Sequence, residues 1–401
     1  MVMGCDLVTA LGASSASGHT LVGVNHFGIG SDGPNLFVLS AKEHAVGEFV
    51  DHARVKIPQV RQTARVLGWQ APGSWGLAFG CNEHRVAVGM NRWKSRLPRG
   101  GDGLDGADLV RLALERGTCA RAAKDVLCEL IERHGQSTQT SDHIFTVADC
   151  REAFLIEAAG THWAILECQK TRAVSDAGLI RQDWQRLSCG LADRVVECGW
   201  GRNDGSKLDF HAAVNDSSAE NPAALKRWSR ASLALAQQDG AIDPYCLRRL
   251  LLEHFDQCQD LLPRHHVWQG SQIAVLGADV PSIVWASPAH IGAPLFFPLF
   301  PAAPLPGQWL DGLPPLNRLW SRNDTRTQEI QDALQATYDQ DVEGFLIEAR
   351  QLKDRPSDVV HRAQEMMARH TDLYLKNAQP ARAEVKRPAS RSDEQFAFIS
   401  E

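Results

Sequence analysis

The order in which strand-like and helix-like segments follow one another constrains this chain most. Asp6–Leu11 reads as an apolar strand, Gly12–His19 as a small-residue turn and Thr20–Phe27 as a second strand, so the chain opens on a hairpin. Leu36–Ser40 reads as a third strand. Gly73–Asn91 mixes Gly, Trp and β-branched residues, and Arg85–Met90 within it reads as a buried strand. Two helices follow. Gly106–Arg116 carries Leu109, Leu112 and Ala113 at helical spacing, and Ala120–His134 repeats the pattern before Gly135 supplies a stop. Strands return at Ile144–Ala148, Ala153–Ala158 and Thr161–Leu166. Helices return at Glu220–Gln237 and at Pro244–Gln257, where Asp243-Pro244 supplies an N-cap and a proline at the first helical position. Gln272–Leu276 and Ser282–Ala286 form a late hairpin. Two more helices, Thr325–Leu352 and Ser357–Lys376, come last.

Strands thus come in hairpins, helices come in pairs, and strands come back afterwards. A doubly wound fold would alternate βαβ instead. The pattern predicts an α+β chain with antiparallel sheets between helical layers, a four-layer αββα sandwich. A single large domain over residues 5–300 accommodates it. Residues 301–320 then read as a Pro/Gly-rich loop and 321–378 as helices packed on that domain. The polar, mixed-charge stretch 379–401 reads as a disordered tail.

Composition narrows the function classes. With 401 residues and 44% hydrophobic content there is material for a large core. Lys and Arg number 42 against 48 Asp and Glu, for a net charge of −6, and no basic face stands out, which argues against nucleic acid as a partner. No apolar run approaches the roughly 18–20 residues that span a bilayer, and no signal peptide is evident. The ten cysteines lack paired spacing and read as reduced thiols in a cytoplasmic protein. A homo-oligomer is compatible with such a chain.

The motifs that carry chemistry are few. Gly28-Ile29-Gly30-Ser31-Asp32-Gly33 satisfies GxGxxG, yet Pro34 and Leu36–Leu39 predict a turn and a strand where a dinucleotide site needs a helix. There is no Walker loop, HExxH or GxSxG, and His265-His266 has no spaced metal partners. Cys5 stands four residues from the start. If Met1–Gly4 were removed, Cys5 would hold a thiol nucleophile and a free α-amine in one residue. That amine has a pKa of about 7.7–8.0, suited to general base work. Gly80-Cys81-Asn82-Glu83-His84-Arg85 forms a polar turn before the strand that leads to Asn91. Asn82 suits a turn, and Asn91, at the strand end beside Trp93, suits an oxyanion donor.

Several blocks occur together in order: Cys5-Asp6, Gly23-Val24-Asn25, Arg61-Gln62-Thr63 ahead of Trp75-Gly76, Gly80–His84, Asp108–Arg116, Ala148-Asp149, Glu157–Gly160 and His162-Trp163. In these the chain resembles the secernin-like dipeptidases, within the N-terminal-nucleophile (Ntn) hydrolases that include penicillin V acylase and bile salt hydrolase. The resemblance covers roughly residues 5–180 and continues more weakly to about 300. It implies an Ntn-type αββα fold and cofactor-free, cysteine-dependent cleavage of a small amide, with a dipeptide as the leading substrate. It further implies Cys5 as nucleophile, Asn91 as oxyanion donor and Arg230 as a guanidinium near the thiol. Asn25, His26, Asn82 and Asp176 are the implied substrate contacts. Two departures stand out. Val24-Asn25-His26-Phe27 replaces a Lys-or-Arg–Asn–x–Asp pattern, and Asp176 replaces an Asn. An ionised Asp cannot donate to an oxyanion but can hold an ammonium group. An acylamide hydrolase or acyltransferase of the same fold, and a catalytically inactive secernin-like interaction protein, are the alternatives.

Overall fold

In the computed structural model the described residues are 4–29, 35–51, 55–71, 73–98, 103–137, 142–202, 204–219, 221–258, 266–288, 295–306 and 325–384. The first strands are β1 (Gly4–Ala10), β2 (Thr20–Ile29), β3 (Asn35–Leu39), β4 (Lys42–Glu43), β5 (Gln62–Thr63), β6 (Val66–Gln70), β7 (Phe79–Asn82) and β8 (Ala87–Trp93). Helices α1 (Gly106–Arg116) and α2 (Ala120–His134) follow. Next come β9 (Asp142–Ala148), β10 (Ala153–Ala159), β11 (His162–Cys168), β12 (Thr171–Val174) and β13 (Arg186–Leu187). Helices α3 (Leu191–Glu197), α4 (Phe210–Val214), α5 (Pro222–Gln237) and α6 (Pro244–Cys258) precede β14 (His266–Leu276), β15 (Ile283–Pro288) and β16 (Phe297–Leu299). Helices α7 (Thr325–Gln351) and α8 (Pro356–Glu384) close the described chain.

The strands build two large antiparallel sheets. One has the order β12-β1-β2-β14-β15-β16 and the other β13-β11-β10-β9-β8-β7-β6-β3, with β4 and β5 as a small separate pair. The sheets face each other, with β1 against β8. Helix α1 covers β7 and β8, and α2 covers β9, β10 and β11. On the far side α5 covers β12 and β1, and α6 covers β2 and β14. This is the four-layer αββα arrangement that the order of elements predicts.

Burial on both faces explains the sequence of the central strands. In β10, Ala153, Leu155 and Ala159 point into the core between the sheets, while Phe154, Ile156 and Ala158 point into the core under α1 and α2. A strand with two buried faces loses the apolar–polar alternation of a half-exposed one. The helix ends follow local chemistry. The Asn221 side chain accepts from Ala224 N–H at 3.1 Å ahead of Pro222, and the Asp243 side chain accepts from Cys246 N–H ahead of Pro244. Gly135 ends α2 at φ 69°, a backbone conformation that glycine adopts without strain.

Helices α7 and α8 lie on the β16 edge of the six-stranded sheet. Phe297 packs on Tyr338 and Tyr374, with ring centres 5.6 and 5.2 Å away, and Phe300 meets Phe345 at 5.0 Å. Arg248 of α6 makes a two-pronged ion pair with Asp339 of α7 (2.8 and 2.7 Å) and stacks over Trp285. An otherwise open sheet edge is thereby covered.

Several boundaries differ from expectation. β8 runs through Trp93, so Asn91 is inside the strand rather than at its end, because pairing with β9 continues from Ala87–Ala148 to Trp93–Asp142. Phe297–Leu299, not among the expected strands, pairs with β15. Helix α8 continues to Glu384, past the expected start of the tail. Gly28 and Ile29 belong to β2, not to a helix start, while Gly30–Gly33 lie outside the described residues. So do His265, residues 307–320 of the proline-rich stretch, residues 321–324 and residues 385–401. Among the described residues no helix is long and apolar enough to cross a membrane.

Candidate active site

Strand pairing decides which residues can meet. In an antiparallel pair, directly opposed residues share a face. Cys5 is described by its backbone, which takes the register position opposite His26, as Leu7 does opposite Val24. Leu7 belongs to the core between the sheets, and a Cβ on Gly89 of β8 would touch its side chain. Asn91 follows Gly89 by two residues and so shares its face. The register therefore sets the Cys5 position and His26 on the inner side of one sheet, and Asn91 on the inner side of the other.

The opposite face of β1 carries charge. Asp6, 2% exposed, accepts from Arg227 Nε at 3.2 and 3.0 Å through its two oxygens. The same guanidinium reaches Asp176 Oδ2 from Nη2 at 3.3 Å, and Asp176 Oδ1 accepts from the Arg92 backbone N–H at 3.2 Å. One buried arginine thus ties together β1, the segment after β12 and, through Asp176, β8. Asp176 is the outermost of the three, at 19% side-chain exposure against 2% for Arg227. Burial, with Asp6 adding to it against the pull of Arg227, pushes the Asp176 carboxyl up to about 6. Two carboxylates share the Arg227 guanidinium, and the Arg92 side chain also lowers the Asp176 pKa.

His26 is fully buried, and its Nε2 lies 2.5 Å from Gln272 Oε1. Burial pulls its pKa down to about 4, the Gln272 contact only partly offsetting this. With Gln272 presenting its oxygen, the ring proton sits on Nε2. An imidazole held that low stays neutral at pH 7 and is a weak base.

Arg230 stands elsewhere. It is exposed on α5 and lines a cavity of about 280 Å³ between α5 and α6. The guanidinium next to β1 is that of Arg227, and the signal for it lies in the helix period. Ala224, Arg227, Ala231 and Leu235 are the buried residues of α5, spaced three and four apart, and Arg230 falls off that stripe. Asn82 is also apart from the group. Its side-chain NH2 donates to Leu114 O and Gly117 O at the end of α1, and its Oδ1 accepts from His84 N–H and Val86 N–H. All its hydrogen-bonding capacity goes into a turn and a helix end, the turn role its position suggests. Asn25 turns toward α6. It donates to Leu251 O at 2.8 Å and accepts from the Ser271 hydroxyl, fastening α6 to the sheet. Both carboxamides act as structural ties, because their partners are backbone and hydroxyl groups of neighbouring elements.

Among the described residues no group of three or more His, Cys, Asp or Glu side chains is arranged to hold a metal ion. No protein-family model matches the chain. Among solved structures, the chain is similar to a conjugated bile acid hydrolase from Clostridium perfringens at 11% identity, over 73% of this chain and 92% of that one, with a TM-score of 0.44. It is also similar to penicillin V acylase from Agrobacterium tumefaciens at 12% identity, over 74% and 86%, with a TM-score of 0.44. A third is the Caenorhabditis elegans ortholog of N-acylethanolamine-hydrolyzing acid amidase, at 12% identity over 68% and 92%, with a TM-score of 0.35.

Proposed function

We propose that this protein is a cysteine-dependent hydrolase of small amide bonds, with Cys5 as N-terminal nucleophile once residues 1–4 are removed. The observation that carries the reading is the register of β1. It sets the Cys5 backbone opposite His26 and one residue from a buried Asp6–Arg227–Asp176 ion group, with Asn91 on the facing sheet. The thiol attacks the substrate carbonyl while the freed α-amine takes its proton. His26, held near 4, is too weak a base at neutral pH to replace that amine. The Asn91 carboxamide stabilises the tetrahedral oxyanion, an acyl-enzyme forms as the amine leaves, and water releases the acid. Asp176 favours substrates with a free α-ammonium group, which makes a dipeptide the leading candidate. An N-acyl amine lacks that cation and is the second class to test.

Intact mass and N-terminal sequence of the purified protein, beside Cys5→Ala, test the reading. A wild-type chain that starts at Cys5 and hydrolyses dipeptides, with an uncut and inactive variant, is the expected result. A wild-type chain that keeps residues 1–4 and still turns over amides would remove the α-amine from the mechanism. A chain that is uncut and inactive on dipeptides and N-acyl amines alike would leave a binding protein.

A further inference from the structure

Glu157 is a buried carboxyl that the mechanism above does not use. It sits in the middle of β10, opposite Ile144 of β9, which is itself opposite Asn91 of β8, so the three form one row across the inner face of the eight-stranded sheet. Its Oε1 accepts from the backbone N–H groups of Leu179 and Ile180, at 2.5 and 3.0 Å. Its Oε2 is buried, with no hydrogen-bond partner among the described residues. Leu179 and Ile180 follow Asp176 by three and four residues, and Gly178, between Asp176 and Leu179, approaches the sheet closely. A Cβ there would lie 2.6 Å from the Trp93 ring and 3.2 Å from Glu157 Oε2. The segment from Ser175 to Ile180 is therefore fixed at two places, by Arg227 and the Arg92 N–H at Asp176 and by Glu157 at Leu179 and Ile180.

We propose that Glu157 is a positioning residue, whose carboxyl latches the Ser175–Ile180 segment to the eight-stranded sheet and so sets where Asp176 stands. A hydrophobic residue at this place in β10 would pack as Leu155 does but would leave the part-buried Leu179 and buried Ile180 N–H groups without this acceptor, at a cost that loosens the segment at this end. A carboxyl accepts both on one oxygen. Burial pushes the group up to about 7, so near neutral pH a large fraction carries its proton on the unpartnered oxygen, which lessens the charge buried there. The latch deepens the proposed hydrolase reading only in its effect on substrate. The fixing of the segment stands apart from it.

Amide hydrogen exchange over residues 175–182 of the full chain tests the latch without reference to activity. Glu157→Ala is expected to speed exchange at Leu179 and Ile180 by at least about tenfold, while Glu157→Gln, which keeps an oxygen acceptor, stays within about threefold of wild type. With a dipeptide substrate, Glu157→Ala raises KM and leaves kcat within about threefold, and Glu157→Gln restores most of the loss. Gly178→Ala provides a second route, since its methyl group must displace the segment from Trp93. It is expected to raise both the exchange rate and KM, with no added effect in combination with Glu157→Ala. Wild-type exchange in a folded Glu157→Ala protein overturns the proposal, as does Glu157→Gln behaving like the alanine variant. If Glu157→Ala does not fold, wild-type exchange in Gly178→Ala overturns it. Absence of any amidase activity removes the KM arm and the hydrolase reading, and leaves the exchange arm to decide.

Discussion

Arg227 lies buried between Asp6 and Asp176, and a charge so placed is held by its partners or not at all. Removing one member of a buried group strands the others, at a cost of about 3–5 kcal/mol. Arg227→Met should therefore lower stability by that order in urea unfolding, while Arg230→Met, three residues on and exposed, should stay within about 0.5 kcal/mol. Equal effects would refute the assignment of the inner arginine. Asp176 gives a pH prediction. Burial and Asp6 hold its carboxyl at about 6, so it is ionised at pH 7 and mostly neutral at pH 5, while a substrate α-amine stays protonated throughout. KM for a dipeptide should thus rise about tenfold from pH 7 to pH 5, and Asp176→Asn should remove that slope and raise KM at pH 7 by about 10- to 100-fold. A flat wild-type profile would take Asp176 out of substrate binding. The resemblance pointed to Cys5, Asn91 and Asp176 by their order in the chain. Arg227 was legible only through the three-and-four spacing of α5, and Glu157 carries no local signal, because its two partners arrive from a segment more than twenty residues away.

Helices α1 and α2 match their expected limits residue for residue, because capping, period and a glycine stop all act within one or two turns. Strand limits shift more, since a strand ends where its neighbour stops pairing. Asn91 shows this, lying inside β8 through the partnership with β9. At this scale Asn82 is the informative residue. It ties the turn before β8 to the end of α1 through four hydrogen bonds. Asn82→Ala leaves the Leu114 and Gly117 carbonyls and two turn N–H groups without this partner, and should cost about 2–4 kcal/mol. Activity per folded molecule should remain near wild type. A variant of normal stability and lost turnover would instead return Asn82 to the substrate site.

For the whole molecule, the C-terminal helices decide how the six-stranded sheet ends. Tyr338, Phe345 and Tyr374 cover Phe297 and Phe300, and Asp339 pairs with Arg248 at their rim. Deleting residues 321–401 would expose this aromatic surface and the β16 edge, so the shortened chain should be poorly soluble or melt well below the full one. A soluble truncation with an unchanged melting temperature would show that these helices are an appendage. By itself the sequence determined the six longer helices, the hairpins and the αββα layering, though not the short α3 and α4, because periodicity, caps and turns act between residues close in the chain. It also marked Cys5 and Asn91 as candidates. Only the tertiary structure decided which arginine faces Asp6, that Asn25 and Asn82 serve as ties, and that Glu157 meets the segment bearing Asp176. Those choices depend on strand register and on which face of each helix is covered, and both are set by packing between elements far apart in the chain.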